Sequence, residues 1–456
     1  MGKKILYGLG SLGYSVIGQT ISNFFMFFAT SVLGIRGTII GAIIAVSTIW
    51  DGVSDSIIGY LSDNFKIGKL GKRQGYMLIA TIGMVIFNLV LWCIPLEMAV
   101  WVKVVWILLS LILLETFNTM FATPYNALGN EMSSSYNDRT KINATSTVFY
   151  LLGIIIPSIL LVVFLPSNEE YPIGQLNPNG YVNIAIVTSI IALICGLVSS
   201  ISTISHNSVN EGTGKKKFKF KEVFGGLWKS FKNKRLSTLI WGYVMVSMST
   251  VFLCSVGLHF FTYSFFYTSN QITILLLSLI TGTIISQPLW VFVSHKRRKK
   301  PALIIGIIVT ILSVFGIIGV YLFRIQLYSI SFYLMVGLLL GCGVGSGSIY
   351  SLPASLYGDA IEVVTRGNDN KTATYGGALT FASNIANSAT QLLTGVLLDI
   401  IKFDSSLEVQ SLGVQTGLAL IVFVGVQSSL IIGCLIFAGY KEKGEKFDNS
   451  CKISSL

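Results

Sequence analysis

The stretch "IWDGVSDSIIGYLSDNFKIGKLGKRQGY", Ile49 to Tyr76, closes an apolar run that begins near Gly37 and passes into a segment carrying Lys66, Lys69, Lys72 and Arg73. A run of that length, ended by a basic loop, has the form of a helix that crosses about 30 Å of hydrocarbon and stops at a charged interface. Inside it stand two aspartates, Asp51 and Asp55. Outward from this segment the pattern repeats. Apolar segments long enough to span occur at roughly 9–33, 37–61, 75–95, 101–127, 145–165, 180–205, 236–264, 271–294, 301–323, 328–356, 372–401 and 412–440, which makes twelve.

Composition agrees. Of 456 residues, 52% are hydrophobic and 11% charged, where soluble domains carry about a quarter charged. The chain reads as an all-α membrane protein. Its net charge of +12 raises nucleic acid as a partner, and the placement of the basic residues decides against it. With the first helix leaving the cytoplasm, every Lys and Arg except Arg36, Lys103, Arg324 and Lys402 falls on the cytoplasmic side. That bias predicts a multi-pass protein of the cell (plasma) membrane with both termini cytoplasmic. The first helix is too long, and lacks the small-residue site, to be a cleaved signal. Six cysteines lie singly and three histidines lie far apart, so no metal or redox spacing is present and no cofactor is expected. An enzyme at membrane depth, an ATP-driven pump with a phosphate loop and a channel with a repeated filter each lack their signature.

The longest polar segment, "HNSVNEGTGKKKFKFKEVFGGLWKSFKNKR" (His206–Arg235), splits the chain. It implies an N-terminal six-helix bundle at 1–206, a basic cytoplasmic linker at 207–235, a C-terminal six-helix bundle at 236–440 and a cytoplasmic tail at 441–456. Two six-helix halves joined this way are the layout of the major facilitator fold. The alternating Lys/Phe stretch of the linker fits an anionic inner leaflet, or plain solvent. Helix 4 closes with "PYNALGNE" (Pro124–Glu131) and helix 10 with "PASLYGDA" (Pro353–Ala360), a faint repeat at corresponding positions. The glycines of "GCGVGSG" (Gly341–Gly347) have no preceding strand and no following Lys-Ser/Thr, so they predict close helix packing.

Asp51, Ser54 and Asp55 stand at i, i+3 and i+4, on one helical face. A charge at the bilayer centre costs about 2.5–3.5 kcal/mol, and two adjacent carboxylates repel. Either one stays protonated or a cation sits between them, and hard oxygens suit Na⁺ or H⁺. A buried pair bonded to a basic residue is the alternative, but few basic residues lie in these spans. On helix 4, Glu115, Thr119 and Ala122 share a stripe, so Thr119 can add an oxygen to the same ion. Counting depth along the two helices predicts Glu115 level with Asp51 and facing the site.

Several segments resemble one family. "YGLGSLGYSVIG" (Tyr7–Gly18), "IWDGVSDSIIGYLSD" (Ile49–Asp63), "GKRQGYMLI" (Gly71–Ile79), "TPYNALGNEMSSSYNDRTKIN" (Thr123–Asn143) and "LYGDAIEVVTRGNDNKTATYGGALTF" (Leu356–Phe381) are similar to the glycoside-pentoside-hexuronide:cation symporters, the melibiose/sodium symporter group. The resemblance implies a major facilitator fold, alternating access and solute entry coupled to Na⁺, Li⁺ or H⁺. It implies cation ligands at Asp51, Ser54, Asp55 and Thr119, with Glu115 added from the stripe. The melibiose-type sugar site relies on charged side chains and a Trp, and the positions that line up here are Tyr14, Ser15, Ala122, Asn126, Thr147 and Ser383. All are uncharged. Neutral groups that can still bind a solute are Ser15, Gln19, Asn23, Asn126, Thr147, Tyr350, Ser383 and Asn384.

After helices 2, 4 and 10, Lys72 and Arg73, Asp138 and Arg139, and Asp359, Glu362 and Arg366 form a pattern of acid and base. These residues suit a cytoplasmic gate of ion pairs, or ordinary topology-setting charge. His259 has no partner at a helical spacing. The reading is a secondary transporter, not an enzyme, that couples Na⁺ or H⁺ to symport of a sugar or glycoside by alternating access. The alternative solute is a lipid or other amphiphile. Partners are the solute, a monovalent cation and membrane lipids, and the protein is expected to be a monomer.

Overall fold

The computed structural model describes residues 2–67, 71, 73–132, 136–204, 228–365, 369–440 and 442, with the side chains of 56, 130, 136, 137, 139, 140 and 369–376 left aside. Among the described residues there are no strands, and twelve long α-helices account for almost the whole chain. They are α1 (Gly2–Phe27), α2 (Gly37–Asn64), α3 (Gln74–Trp92), α4 (Val100–Glu131), α5 (Tyr136–Phe164) and α6 (Pro178–Ser202), then α7 (Lys234–His259), α8 (Ser269–Arg297), α9 (Lys299–Leu322), α10 (Ser331–Thr365), α11 (Asp369–Ile400) and α12 (Leu412–Gly439). Ten are long and apolar enough to cross a membrane. The two more polar ones are α1 and α11. With no water in hydrocarbon, a spanning segment must satisfy its own backbone, which is why apolar runs of this length become helices.

The helices match the expected spans and overrun several of them at the polar ends. Pro124, Pro157, Pro288 and Pro353 lie inside α4, α5, α8 and α10, so α4 and α10 continue past their prolines to Glu131 and Thr365. Each proline frees one carbonyl and breaks no helix, as membrane helices tolerate. One feature escaped the sequence. Both α1 and α7, the first helices of the two expected halves, end in a π turn, Phe28–Val32 and Phe260–Ser264.

By contacts the chain forms two compact units. The first joins Met1–Phe218 with Phe252–Leu277 and Ser388–Val422, and the second joins Lys219–Val251, Ser278–Asn387 and Phe423–Leu456. In the first unit α1 packs on α5 and α6, α3 on α4 and α6, and α2 on α4. The end of this unit remote from the N-terminus is tied together closely. Thr30 Oγ1, in the π turn after α1, lies 2.7 Å from His259 Nε2 at the end of α7, and the Phe27 and Phe403 rings flank that imidazole. At the same end α2 meets α11 backbone to backbone. A Cβ on Gly395 would run into the Gly37 carbonyl oxygen, and one on Gly41 would stand 2.6 Å from that of Gln391. The first turn of α2 has no cap from Arg36. Instead Asp399 of α11 accepts from the Gly37 and Thr38 amides at 2.9 and 3.0 Å, satisfying orphan donors and the helix dipole.

In the second unit the Gly341–Gly347 run does what small residues do in membranes. A Cβ on Gly343 would meet the Leu279 carbonyl of α8, and one on Gly345 would meet the Gly306 carbonyl of α9.

Candidate functional site

α2 and α4 run in the same direction, because α3 lies between them in sequence and turns the chain back. Side-chain hydrogen bonds fix their register. Trp50 Nε1 donates to Thr116 Oγ1 at 2.8 Å, Thr119 Oγ1 to Asp51 Oδ1 at 2.7 Å, and Thr123 Oγ1 to Asp55 Oδ1 at 2.9 Å. Ser54 Oγ lies 3.2 Å from Thr119 Oγ1 and 3.0 Å from the Asp51 carbonyl. Two rungs result, each a carboxylate of α2 facing a hydroxyl of α4, about 6 Å apart at ~1.5 Å per residue. Ser54 and Thr119 are buried, while Asp51, Asp55 and Thr123 are half-buried. The set is all oxygen and carries two potential negative charges, which suits a small monovalent cation or a proton.

The structure thus brings together Asp51, Ser54, Asp55 and Thr119, and adds Thr123, which the sequence reading passed over. A signal for it existed, since Thr123 continues the Thr119 stripe by one turn. Glu115 differs from expectation in depth. In the observed register it is one turn, about 6 Å, beyond the Asp51 rung toward the end where α2 begins, and not level with Asp51. Counting from helix starts misplaced it because α4 begins about a turn farther out than α2. Its carboxyl bonds to Asn118 and lies within electrostatic range of both aspartates. The Asn118 Oδ1 is buried without a hydrogen-bond partner.

The solute candidates divide between the units. Ser15, Gln19, Asn23, Asn126 and Thr147 belong to the first and Tyr350, Ser383 and Asn384 to the second. Ser15 is buried in the contact of α1 with α5 and donates to the Leu12 carbonyl at 3.2 Å. Thr147 donates to Asn143 at 2.9 Å, and Ser383 turns to the Leu379 and Thr380 carbonyls of its own helix. Gln19 bonds to Tyr150. Asn126 and Tyr350 are exposed, and Asn23 and Asn384 half-buried. Near the helix-1 position where the sugar symporters carry charge stands an aromatic group. The Tyr14 ring lies 5.9–6.1 Å from the rings of Tyr150, Tyr125 and Phe121.

Ion pairs form at helix ends within each unit. Arg73 is 7% exposed and donates to Glu131 at 2.5 and 2.9 Å and to Asp63 at 3.0 Å. Lys4 reaches Asp138 at 2.6 Å, a contact that holds that carboxyl below its ordinary range. Lys299 reaches Asp359 at 2.6 Å. Glu362 is exposed, and Lys72, Arg366 and the side chain of Arg139 lie outside the described residues. Glu131 and Asp63 as the partners of Arg73 were not foreseen. Arg73→Ala leaves Glu131 unpaired at the foot of α4 and is expected to destabilise the protein by about 1–2 kcal/mol, discounted for the partly exposed acids. A thermal unfolding curve in detergent checks it, with Glu131→Gln in the same background expected to recover part of the loss.

A family described as MFS/sugar transport protein matches residues 6–441. The chain belongs to that family, within the major facilitator superfamily. A sodium-dependent lysophosphatidylcholine symporter 1-A of Danio rerio is 22% identical over 477 residues, covering 98% of this chain and 87% of that protein. A sphingosine-1-phosphate transporter of Xenopus tropicalis is 22% identical over 463 residues, covering 96% and 87%. Among solved structures the fold is that of the nucleoside transporter NupG, with a TM-score of 0.69 at 12% identity over 96% of this chain and 100% of that one. It is also that of the xylose transporter XylE from E. coli, at 0.65 and 11% over 96% and 97%.

Proposed function

We propose that this transporter couples entry of Na⁺ or H⁺ to symport of an amphiphilic, non-sugar solute, with Asp51, Ser54, Asp55 and Thr119 holding the cation. The observation that carries the coupling is the pair of carboxylates facing threonine hydroxyls midway along two apolar helices, where uncompensated charge is costly. Full-length relatives that are sodium-dependent symporters support it, as does the resemblance to the cation symporters. Relatives that carry lysophosphatidylcholine and sphingosine-1-phosphate, together with uncharged sugar-site positions and the aromatic group at Tyr14, favour an amphiphile.

Li⁺ belongs to the same class of coupling ion. In this proposal the basic end of the molecule faces the cytoplasm of a plasma membrane, the two six-helix halves alternate access as a monomer, and the tied end of α1, α2, α7 and α11 is the outer gate. The charged residues at the other end act as the inner one.

A sugar remains the second reading, favoured by the family description and by the neutral hydrogen-bonding groups Gln19, Asn23, Asn126, Tyr350 and Asn384. Uptake into proteoliposomes decides between them. Under an inward Na⁺ gradient a short-chain lysophosphatidylcholine is expected to accumulate at least about fivefold over a choline control, the low end of measured couplings, and melibiose is expected not to. Na⁺-stimulated melibiose uptake without lipid uptake reverses the assignment.

A further inference from the structure

We infer that Thr123 determines which cation drives this transporter, by supplying an oxygen that Na⁺ or Li⁺ needs and a proton does not. The inference rests on the cation-coupled reading above and adds to it a residue and a selectivity. Threonines in the helices of this protein mostly return their hydroxyl proton to their own backbone one turn back. Thr20 donates to Val16, Thr81 to Met77 and Thr116 to Ile112, at 2.6–2.8 Å. Thr119 and Thr123 instead donate across to α2, each to one aspartate.

The orientation of Thr123 is set by what surrounds it. A Cβ on Gly59, one turn beyond Asp55, would lie 3.6 Å from the Thr123 methyl, so the methyl packs on a glycine face and the hydroxyl is left toward Asp55. β-Branching keeps that arrangement stiff. Immediately after it, Pro124 has no amide proton, which leaves the Met120 carbonyl without its helical partner in this part of α4.

A hydroxyl that donates its proton to a carboxylate keeps lone pairs for an ion. A proton is stored on one carboxylate and asks for no further ligand. An alkali cation must replace its water with several hard oxygens. Loss of one oxygen at the Asp55 rung therefore weakens alkali cations and spares protons.

The test uses the full-length protein and Na⁺ itself as the probe. Thr123→Val keeps the methyl packing and deletes the oxygen, Thr123→Ser keeps the oxygen, and Thr123→Ala is carried in parallel in case the valine variant folds poorly. Na⁺-dependent thermal stabilisation is read against concentration, and pH-gradient-driven uptake is read in Na⁺-free vesicles. Removing a hydrogen bond to a charged group is worth about tenfold. The half-saturating Na⁺ concentration should rise at least about tenfold in the valine and alanine variants and stay near wild type in the serine one. Proton-driven uptake should fall by much less than the Na⁺ response in the valine and alanine variants, because a proton on the carboxylate needs no further oxygen ligand.

Wild-type Na⁺ dependence in both the valine and alanine variants overturns the role of Thr123. So does a serine variant as weak as the valine one, or equal loss of Na⁺ and H⁺ coupling. Asp55→Asn separates this from the underlying reading. If Asp55→Asn loses Na⁺ dependence and the Thr123 variants do not, only Thr123 is removed from the site. If Asp55→Asn also keeps it, the cation site itself is wrong.

Discussion

Asp55→Asn, and separately Asp51→Asn, should turn concentrative uptake into simple equilibration, lowering solute accumulation under a Na⁺ gradient by up to about a hundredfold. The reasoning is thermodynamic. If cation and solute each raise the other's affinity, the coupling free energy is shared, and removing the cation's charge partner removes it for both. Asparagine keeps the volume and can still accept from Thr119 or Thr123, so the hydrogen bonds at 2.7 and 2.9 Å need not be lost and folding should be spared. What disappears is a negative charge that a monovalent ion must meet inside two apolar helices. Uptake in proteoliposomes, normalised to protein recovered after reconstitution, gives the answer. Undiminished accumulation in both single variants would falsify the assignment of the ion to α2.

Gly395→Ala is expected to open the far end of the first unit. The added carbon would run into the Gly37 carbonyl oxygen, and a backbone atom cannot swing aside as a side chain can. α2 and α11 must separate, which strains the cap that Asp399 places on Gly37 and Thr38. Overpacking of this kind costs about 1–3 kcal/mol. If the seam is the proposed outer gate, that cost falls on the closed arrangement and shifts the open population by about 5- to 150-fold. A cysteine placed at Ser31, buried in the neighbouring π turn, should then react at least about fivefold faster with a membrane-impermeant maleimide. Uptake should fall because the cycle no longer closes. Unchanged labelling in Gly395→Ala would show that this seam is not a gate. The seam also explains why α11 can be among the more polar helices, since part of its surface meets protein backbone rather than lipid.

Much of this protein was legible as sequence because the membrane makes its demands locally. Any stretch such as Gly37–Asp63 must satisfy its own backbone bonds within hydrocarbon, so length and hydropathy place ten of the twelve helices outright, while the more polar α1 and α11 read only as weaker apolar runs. Placing Asp51, Ser54 and Asp55 on one face needs only the helical period of 3.6 residues, and the same period gathers Glu115, Thr119 and Ala122. The close packing of Gly341–Gly347 was likewise expected from composition.

Relations between helices were not legible, because they depend on where each helix begins in depth and how far it slides against its neighbour. The offset between α2 and α4 is fixed by Trp50 on Thr116 and by the two carboxylate–hydroxyl rungs, and no local rule supplies it. That offset moved Glu115 a turn away from Asp51 and brought Thr123 to Asp55. For the same reason the spacing did not show that Arg73, read as a gate charge, pairs with Glu131 and Asp63, or that His259, assigned no partner, meets Thr30 across 229 residues of chain. The sequence by itself determined the helices, their number and the face that carries the acids, since these follow from hydrocarbon and a fixed period. Only the tertiary structure decided which hydroxyl meets which carboxylate and which glycine meets which carbonyl, because packing between helices is set by the shape of both partners and neither carries it alone.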